Sequence, residues 1–283
     1  MRNNLILLLA AGLAMTCACN TTETEVEIHP IQDNVQPRMM SRALFADAPD
    51  SLINELGLEE GIPASVCAFL VKTEGKEILF DAANGAPDSQ LLPKLDSLGV
   101  KPEDIDHIFI THLHGDHIGG LISDEKAVFP NAQLHINTVE LDAWMSMSAE
   151  QTKSLGKTIG LYKDRLNTFT PDESLPCNIK AIQAYGHTPG HTVYQVGKNI
   201  IAGDIMHGTA LQTAYPQYSA RFDMDKEKAV QTRKDVMKKA EEEGLKVYGM
   251  HFPEPYWLER FSRRHAPQND RMGGRIARGG EVS

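Results

Sequence analysis

The segment Thr111-His112-Leu113-His114-Gly115-Asp116-His117 constrains this chain more than any other stretch. His112, His114, Asp116 and His117 crowd together directly after His107 to Ile110, a short apolar run with the length of a buried strand. Imidazole and carboxylate side chains together suit zinc and related divalent ions. No helix would bring all four to one point. At an extended strand end, His112 and His114 share a face because side chains alternate. Gly115 then permits a tight turn that carries Asp116 and His117 to a neighbouring position. Two ligand pairs offered in this way predict two adjacent metals.

The remaining pattern predicts the scaffold. Val66 to Lys72 and Glu77 to Asp81 are β-rich and are separated by Thr73-Glu74-Gly75-Lys76, a hairpin signal. Gln90 to Leu98 has helical spacing and stops at Gly99. Strands are expected at Gln133 to Ile136, Ile179 to Gln183, Thr192 to Val196, Asn199 to Ala202 and Lys246 to Gly249. Val139 to Met147 and Ala149 to Arg165 contain helical stretches. Asp225 to Glu243 is the clearest helix: Asp225 can cap it, Ala229, Val230, Val236, Met237 and Ala240 mark its apolar side, and Gly244 ends it. Hairpins and helices interleave through both halves, which predicts an α/β fold with mixed sheets.

The His-x-His-x-Asp-His segment after a strand resembles the motif of the metallo-β-lactamase superfamily. Gly186-His187-Thr188-Pro189-Gly190-His191 resembles the segment that supplies the next histidine of that family. Ala202-Gly203-Asp204 resembles the strand end that supplies a bridging carboxylate, and Gly249-Met250-His251 the one that supplies the last histidine. Order and spacing agree from about Pro63 to Pro253. The resemblance implies a four-layer αββα sandwich of two mixed β-sheets flanked by helices, with two divalent metal ions, Zn2+ by preference, at one edge. It implies that His112, His114 and His187 hold the first ion, Asp116, His117 and His251 the second, and that Asp204 bridges them. A metal-bridging water is then the nucleophile, and Asp116 both ligand and proton acceptor. Asp81 resembles a carboxylate that orients a metal-binding histidine, although the family often has Asp-Thr-Gly where this chain has Asp81-Ala82-Ala83. His191 lies outside the family's ligand set and reads as structural support. His207 follows Asp204 by three positions and either lines the pocket or orients a ligand.

A bridging aspartate points away from true β-lactamases and toward hydrolysis of a lactone, ester or phosphoester. Ile62-Pro63-Ala64-Ser65, Asp204-Ile205-Met206-His207, Leu211-Gln212, Arg221-Phe222-Asp223-Met224-Asp225 and Met250-His251-Phe252-Pro253 resemble the methyl parathion hydrolase-like and lactonase-like branch. An iron-dependent redox enzyme of the persulfide dioxygenase type and a non-catalytic zinc-binding relative are the alternatives. After His251 the family usually continues with Phe-Pro-Gly and a further strand. Here Glu254-Pro255-Tyr256-Trp257 leads into an Arg-rich stretch, so an altered closing edge is expected.

Charge and the chain ends bound the setting. Against 28 basic residues stand 38 acidic ones, which argues against a dedicated nucleic-acid binder and leaves a small molecule as the expected partner. Arg2 followed by the apolar run Leu5 to Met15 reads as an export signal, too short to span a bilayer. Cys19, or Cys17, then resembles a lipoprotein attachment site, which places the protein in the cell envelope, periplasmic or tethered to a membrane. The expected organisation is a signal over 1–19, a polar tether over 20–38, a hydrolase domain over 39–257 and an Arg-rich disordered tail over 258–283. Of the two remaining cysteines, Cys67 sits in an apolar run and is expected to be a buried, inert thiol, unbridged to Cys177.

Overall fold

The computed structural model describes residues 25–259 and Phe261. Two sheets lie face to face. In the first, β1 (Glu27–Gln32) runs antiparallel to β4 (Cys67–Thr73), which turns back into β5 (Lys76–Phe80). The parallel strands β6 (His107–Phe109), β9 (Gln133–Asn137) and β10 (Leu166–Phe169) continue it. The second sheet holds β11 (Lys180–Gln183), β12 (Thr192–Val196), β13 (Asn199–Ile201), β14 (Lys246–Tyr248) and β15 (Trp257–Leu258), antiparallel except between β13 and β14. Two small ribbons pair β2 (Arg38–Met40) with β3 (Ile62–Ala64) and β7 (Ile122–Ser123) with β8 (Lys126–Ala127). The helices are α1 (Asp50–Glu55), α2 (Leu91–Ser97), α3 (Gly115–Ile118), α4 (Thr138–Met145), α5 (Ala149–Tyr162), α6 (Thr209–Gln212) and α7 (Lys226–Glu243).

Strand alternation sorts the core into layers. Phe80 and Phe109 point between the sheets with Phe69, Tyr194 and Tyr248, and the Phe80 and Phe109 rings stack at 5.5 Å. Their neighbours Leu79 and Ile108 face the other way and pack under Leu91 and Leu95 of α2 and Leu155 and Tyr162 of α5. On the second sheet Val193, Ile200 and Val247 pack under Val236, Met237 and Ala240 of α7. The order is therefore helix, sheet, sheet, helix, as the resemblance implied. Each buried phenylalanine contributes about 1.5–3 kcal/mol. A smaller cluster of Phe45, Ile53, Ile62 and Leu211 fixes the segment before β3 against α6.

The local signals have identifiable causes. Glu74 (φ 51°) and Gly75 (φ 71°) make the two-residue β4–β5 turn left-handed, the geometry that matches strand twist. The Asp225 carboxylate accepts from Lys228 N at the start of α7, and Gly244 closes it at φ 62°.

Three sequence expectations are corrected. The tether assigned to 20–38 is in part an edge strand: β1 pairs with β4 from Glu27↔Lys72 to Gln32↔Cys67. Just beyond it, the Asp33 carboxylate accepts from Ser89 Oγ and from the backbone N–H groups of Gln90 and Leu91 at the start of α2. The domain thus begins before residue 39. At the other end, β15 supplies a closing strand, with Tyr248↔Trp257 and Val247↔Leu258 paired and the Lys246 ammonium 3.9 Å over the Trp257 ring. Leu258 and the buried Phe261 belong to the fold, so the tail does not start at 258. The Arg-rich stretch beyond, the export signal and both lipidation cysteines lie outside the described residues. Cys67 and Cys177 are free, and burial pushes the Cys67 thiol up to about 12, which makes it inert at neutral pH. Among the described residues no helix is long and apolar enough to cross a membrane.

Candidate metal centre

The site lies at one edge of the two sheets, where β6, β11, β13 and β14 end and their following loops converge. Thr111 leads out of β6, and its N–H and hydroxyl both donate to Asp81, each at 2.7 Å. His114 is extended (φ −68°, ψ 154°) and caps the one-turn helix α3, which swings Asp116 and His117 inward. The expected tight turn is thus helical, and Gly115 is not among the left-handed glycines. Gly203 is (φ 54°), and a Cβ there would lie 2.5 Å from His191 Nε2 and 2.9 Å from Thr111 Cβ, so the Asp204 loop needs glycine at that point.

All seven side chains named from the sequence meet here. His112 Nε2 lies 2.9 Å from His114 Nδ1 and 3.2 Å from His187 Nε2, and His187 Nε2 lies 3.0 Å from His114 Nδ1. Asp116, His117 and His251 form the adjoining group, with His251 Nε2 3.6 Å from Asp116 and His117 Nε2 3.8 Å from it. Asp204 stands between the groups. Its Oδ2 is 3.0 Å from His251, 3.5 Å from His187 and 3.7 Å from His112, and its Oδ1 is 3.3 Å from His117.

The far nitrogens of these rings decide what the near ones carry. His187 Nδ1 faces Asp223 Oδ1 at 2.9 Å, and His117 Nδ1 faces Asp81 Oδ2 at 2.6 Å. His251 Nδ1 faces the Ser65 carbonyl at 2.9 Å. Each partner can only accept, so each Nδ1 donates its proton and each Nε2 is the atom turned to the centre. In the first group three ring nitrogens crowd together within 3.2 Å of one another. Zn–N bonds of roughly 2.0–2.1 Å in a tetrahedron place neighbouring nitrogens about 3.3 Å apart, close to the observed separations. His117 Nε2 and Asp204 Oδ1 are buried with no hydrogen-bond partner. The residues present fit divalent cations.

Electrostatics agree. Burial lowers His114 to about 4 and holds His112 well below its ordinary value, which keeps these two imidazoles neutral as ligands require, and it lowers the supporting His191 to about 3. Burial opposes charge on His117, but Asp204, Asp81 and Asp116 outweigh it and raise that ring. Burial likewise opposes charge on Asp204, and His117, His251 and His207 overcome it, so the carboxylate stays ionised. The field of three carboxylates that draws protons to these rings draws cations equally.

The accessory residues are placed as follows. Asp81 orients His117. His191 Nε2 accepts from the Asp204 N–H at 2.9 Å while its Nδ1 donates to the Ala184 carbonyl, so it fixes the backbone of the bridging residue. His207 is buried, stacks on His251 at 5.2 Å and sets Nε2 3.2 Å from Asp204 Oδ2. Asp223, Arg233 and Glu140 escaped the sequence reading as functional residues. Arg233 had a visible signal: it stands on the apolar stripe of α7, four residues after Ala229. It is fully buried and pairs with Asp223 at 3.3 Å. Glu140 had none, since an acidic residue near a helix start usually faces water.

Apolar side chains stand beside the site. Trp144 meets His114 edge-on at 5.5 Å and Phe222 lies 5.6 Å from His207. Met145, Phe222 and Met224 are about half exposed, at 49%, 48% and 50%.

The metallo-beta-lactamase superfamily profile matches residues 62–251. An N-acyl homoserine lactonase of Bacillus cereus is 28% identical over 151 residues, covering 44% of this chain and 56% of its own length. Ribonuclease Z of Geobacillus kaustophilus (strain HTA426) is 27% identical over 187 residues, covering 53% of this chain and 59% of its own. The chain thus spans less than two thirds of these curated relatives. Among solved structures, the hydrolase AbOPH of the beta lactamase superfamily superposes with a TM-score of 0.74 at 30% identity, over 83% of this chain and 89% of that one. AidC, a dizinc quorum-quenching lactonase in complex with a product, superposes with a TM-score of 0.75 at 25% identity, over 82% and 90%.

Proposed function

The chain belongs to the metallo-β-lactamase superfamily, and we propose that it is a metal-dependent hydrolase that cleaves a lactone or carboxylic ester with an apolar substituent, using two zinc ions. The convergence of the His112, His114 and His187 ring nitrogens beside the Asp116, His117 and His251 group carries this reading. In it, the first three would hold one ion and the second three the other, with Asp204 placed between the two groups. Ions bound there supply Lewis acidity to a substrate oxygen and bring the pKa of water toward roughly 7. The chain's own residues do the rest. Asp116, whose side chain is 34% exposed, faces the open side and takes the proton of the attacking water. The same carboxyl returns it to the leaving oxygen, which for a lactone stays within the product. Asp204 and His191 keep the two halves in register. His207 lines the pocket beside Asp204. Trp144, Met145, Phe222 and Met224 offer an apolar rest for the substituent and exclude water around the reacting carbonyl.

The relatives support the substrate class: the Bacillus cereus match and the solved structure AidC are lactonases. A net charge of −10 disfavours a polyanionic substrate such as RNA. Zinc-loaded protein assayed on lactones, aryl esters, thioesters, phosphotriesters and β-lactams tests it. Highest kcat/KM on apolar lactones or esters is expected, and turnover confined to phosphotriesters or β-lactams refutes it. From the sequence alone we place the enzyme in the cell envelope, anchored through Cys19 or Cys17.

A further inference from the structure

Glu140 is 1% exposed and sits in the first turn of α4, more than twenty residues from any of the seven metal-facing side chains. It is nevertheless fully committed. Its Oε1 accepts from the Leu113 N–H at 3.0 Å and from the Trp144 indole N–H at 2.7 Å. Its Oε2 accepts from the Thr188 hydroxyl and the Gly190 N–H, both at 2.8 Å. Leu113 lies between His112 and His114, and Thr188 follows His187. One carboxylate thus ties together the two loops that carry the first ion's three imidazoles. Three of the four partners are N–H groups that can only donate, and an acceptor-only carboxylate satisfies all four. Trp144, held by the same carboxylate, meets His114 edge-on.

The backbone is built for this contact. Gly190 approaches α4 so closely that a Cβ would lie 2.2 Å from Glu140 N and 2.6 Å from its Cα. Asn137, which caps α4 through Val139 N, also donates to the Gly190 carbonyl at 3.1 Å and to Thr192 Oγ1 at 3.0 Å. The start of α4 therefore grips the 187–192 loop at several points, and Glu140 extends the grip to the 112–114 segment.

We propose that Glu140 is a positioning residue that sets the spacing of His112, His114 and His187, and so selectively governs the affinity of the first metal position. The proposal rests on the reading that two ions bind. Holding three imidazoles at bonding distance requires that the two loops not drift apart, and a single rigid acceptor between them prevents that drift. The second group, on α3 and after β14, does not depend on Glu140.

Glu140→Gln keeps the shape but sets an amide nitrogen against at least one N–H that cannot accept, which loosens one loop. Zinc dissociation constants of the full chain, measured by competition with a chromophoric chelator, test this. Wild type binding two zinc ions per chain is the precondition, and fewer than two sinks the two-ion reading and this proposal with it. In Glu140→Gln, one ion is expected to bind about 10–100-fold more weakly and the other within about threefold of wild type. The weakened ion should be the one absent from His114→Ala. Thr188→Val, which removes a single donor, is expected to weaken the same ion severalfold, and it decides the matter if Glu140→Gln fails to fold. Unchanged constants in both variants, even with a lowered melting temperature, overturn the proposal, as does equal weakening of both ions.

Discussion

Asp81 accepts the Nδ1 proton of His117 at 2.6 Å and, through its other oxygen, the N–H of Thr111 at 2.7 Å. A residue closing an early strand thereby fixes both the tautomer of one imidazole and the start of the loop that carries it. Its backbone is left-handed (φ 56°), a conformation asparagine also adopts readily. Asp81→Asn should therefore fold, yet its amide nitrogen must face either Thr111 or His117 as a donor against a donor. Zinc affinity at the Asp116, His117 and His251 position is expected to fall about 10–100-fold, read by chelator competition. Wild-type affinity at both positions would show that this carboxylate does not orient His117.

Asp116 and His114 are the half-buried members of the metal-facing set, and Asp116 is the only one of the two that can take a proton as a carboxylate. Asp116→Ala should leave the melting temperature within a few degrees of wild type. Turnover should drop by at least about a hundredfold, the lower range for loss of a general acid–base group. Steady-state kinetics and thermal unfolding read the two effects separately. Retained activity would remove Asp116 from the mechanism.

Arg233 supports the His187 part of the site through Asp223. Its guanidinium donates to the Ile205 carbonyl at 2.5 Å and the Pro216 carbonyl at 2.7 Å, and pairs with the Asp223 that orients His187. Arg233→Met leaves Asp223 buried without its cation, a change that costs about 3–5 kcal/mol. Urea denaturation measures it. A loss under about 1 kcal/mol would mean that the loop is held by other contacts.

His135 gives the fold a pH dependence outside the metal centre. Burial, together with neighbouring His107, lowers it to about 4, while the unfolded ring titrates near 6.5. The fold thus favours the neutral ring. Its contribution is complete above pH 6.5 and declines as pH falls, because the unfolded chain takes up the proton first. The decline ends near pH 4, where the folded ring protonates, and amounts to roughly 3 kcal/mol. His135→Phe keeps the ring stacked on Phe109, now 4.3 Å away at 14°. Relative to wild type its stability should fall less between pH 6.5 and 4. Parallel pH profiles for the two proteins would contradict the assignment.

The ligand set was legible because ligation imposes residue types, not environments: histidine and aspartate at strand ends stand out in any sequence. The layered fold was legible for a related reason, since Phe80 against Leu79 and Phe109 against Ile108 alternate between two cores. Strand β1 was not, because an edge strand paired on one side carries polar residues such as Glu27 and Gln32, and its composition matches that of a linker. Glu140 and Asp223 were hidden because their work lies in contacts across distant loops. Their neighbours in sequence say nothing about Leu113, Thr188 or His187. The closing strand β15 was obscured by its brevity and by the arginines that follow it.

The central claim is that two cations sit side by side, one among His112, His114 and His187 and one among Asp116, His117 and His251, with Asp204 reaching both. Anomalous diffraction at the zinc edge, from crystals of zinc-loaded protein, tests it most directly. Two peaks about 3.5–4 Å apart, each bonded to its own group and both to Asp204, are expected. A single peak, or zinc bound elsewhere, would contradict the account.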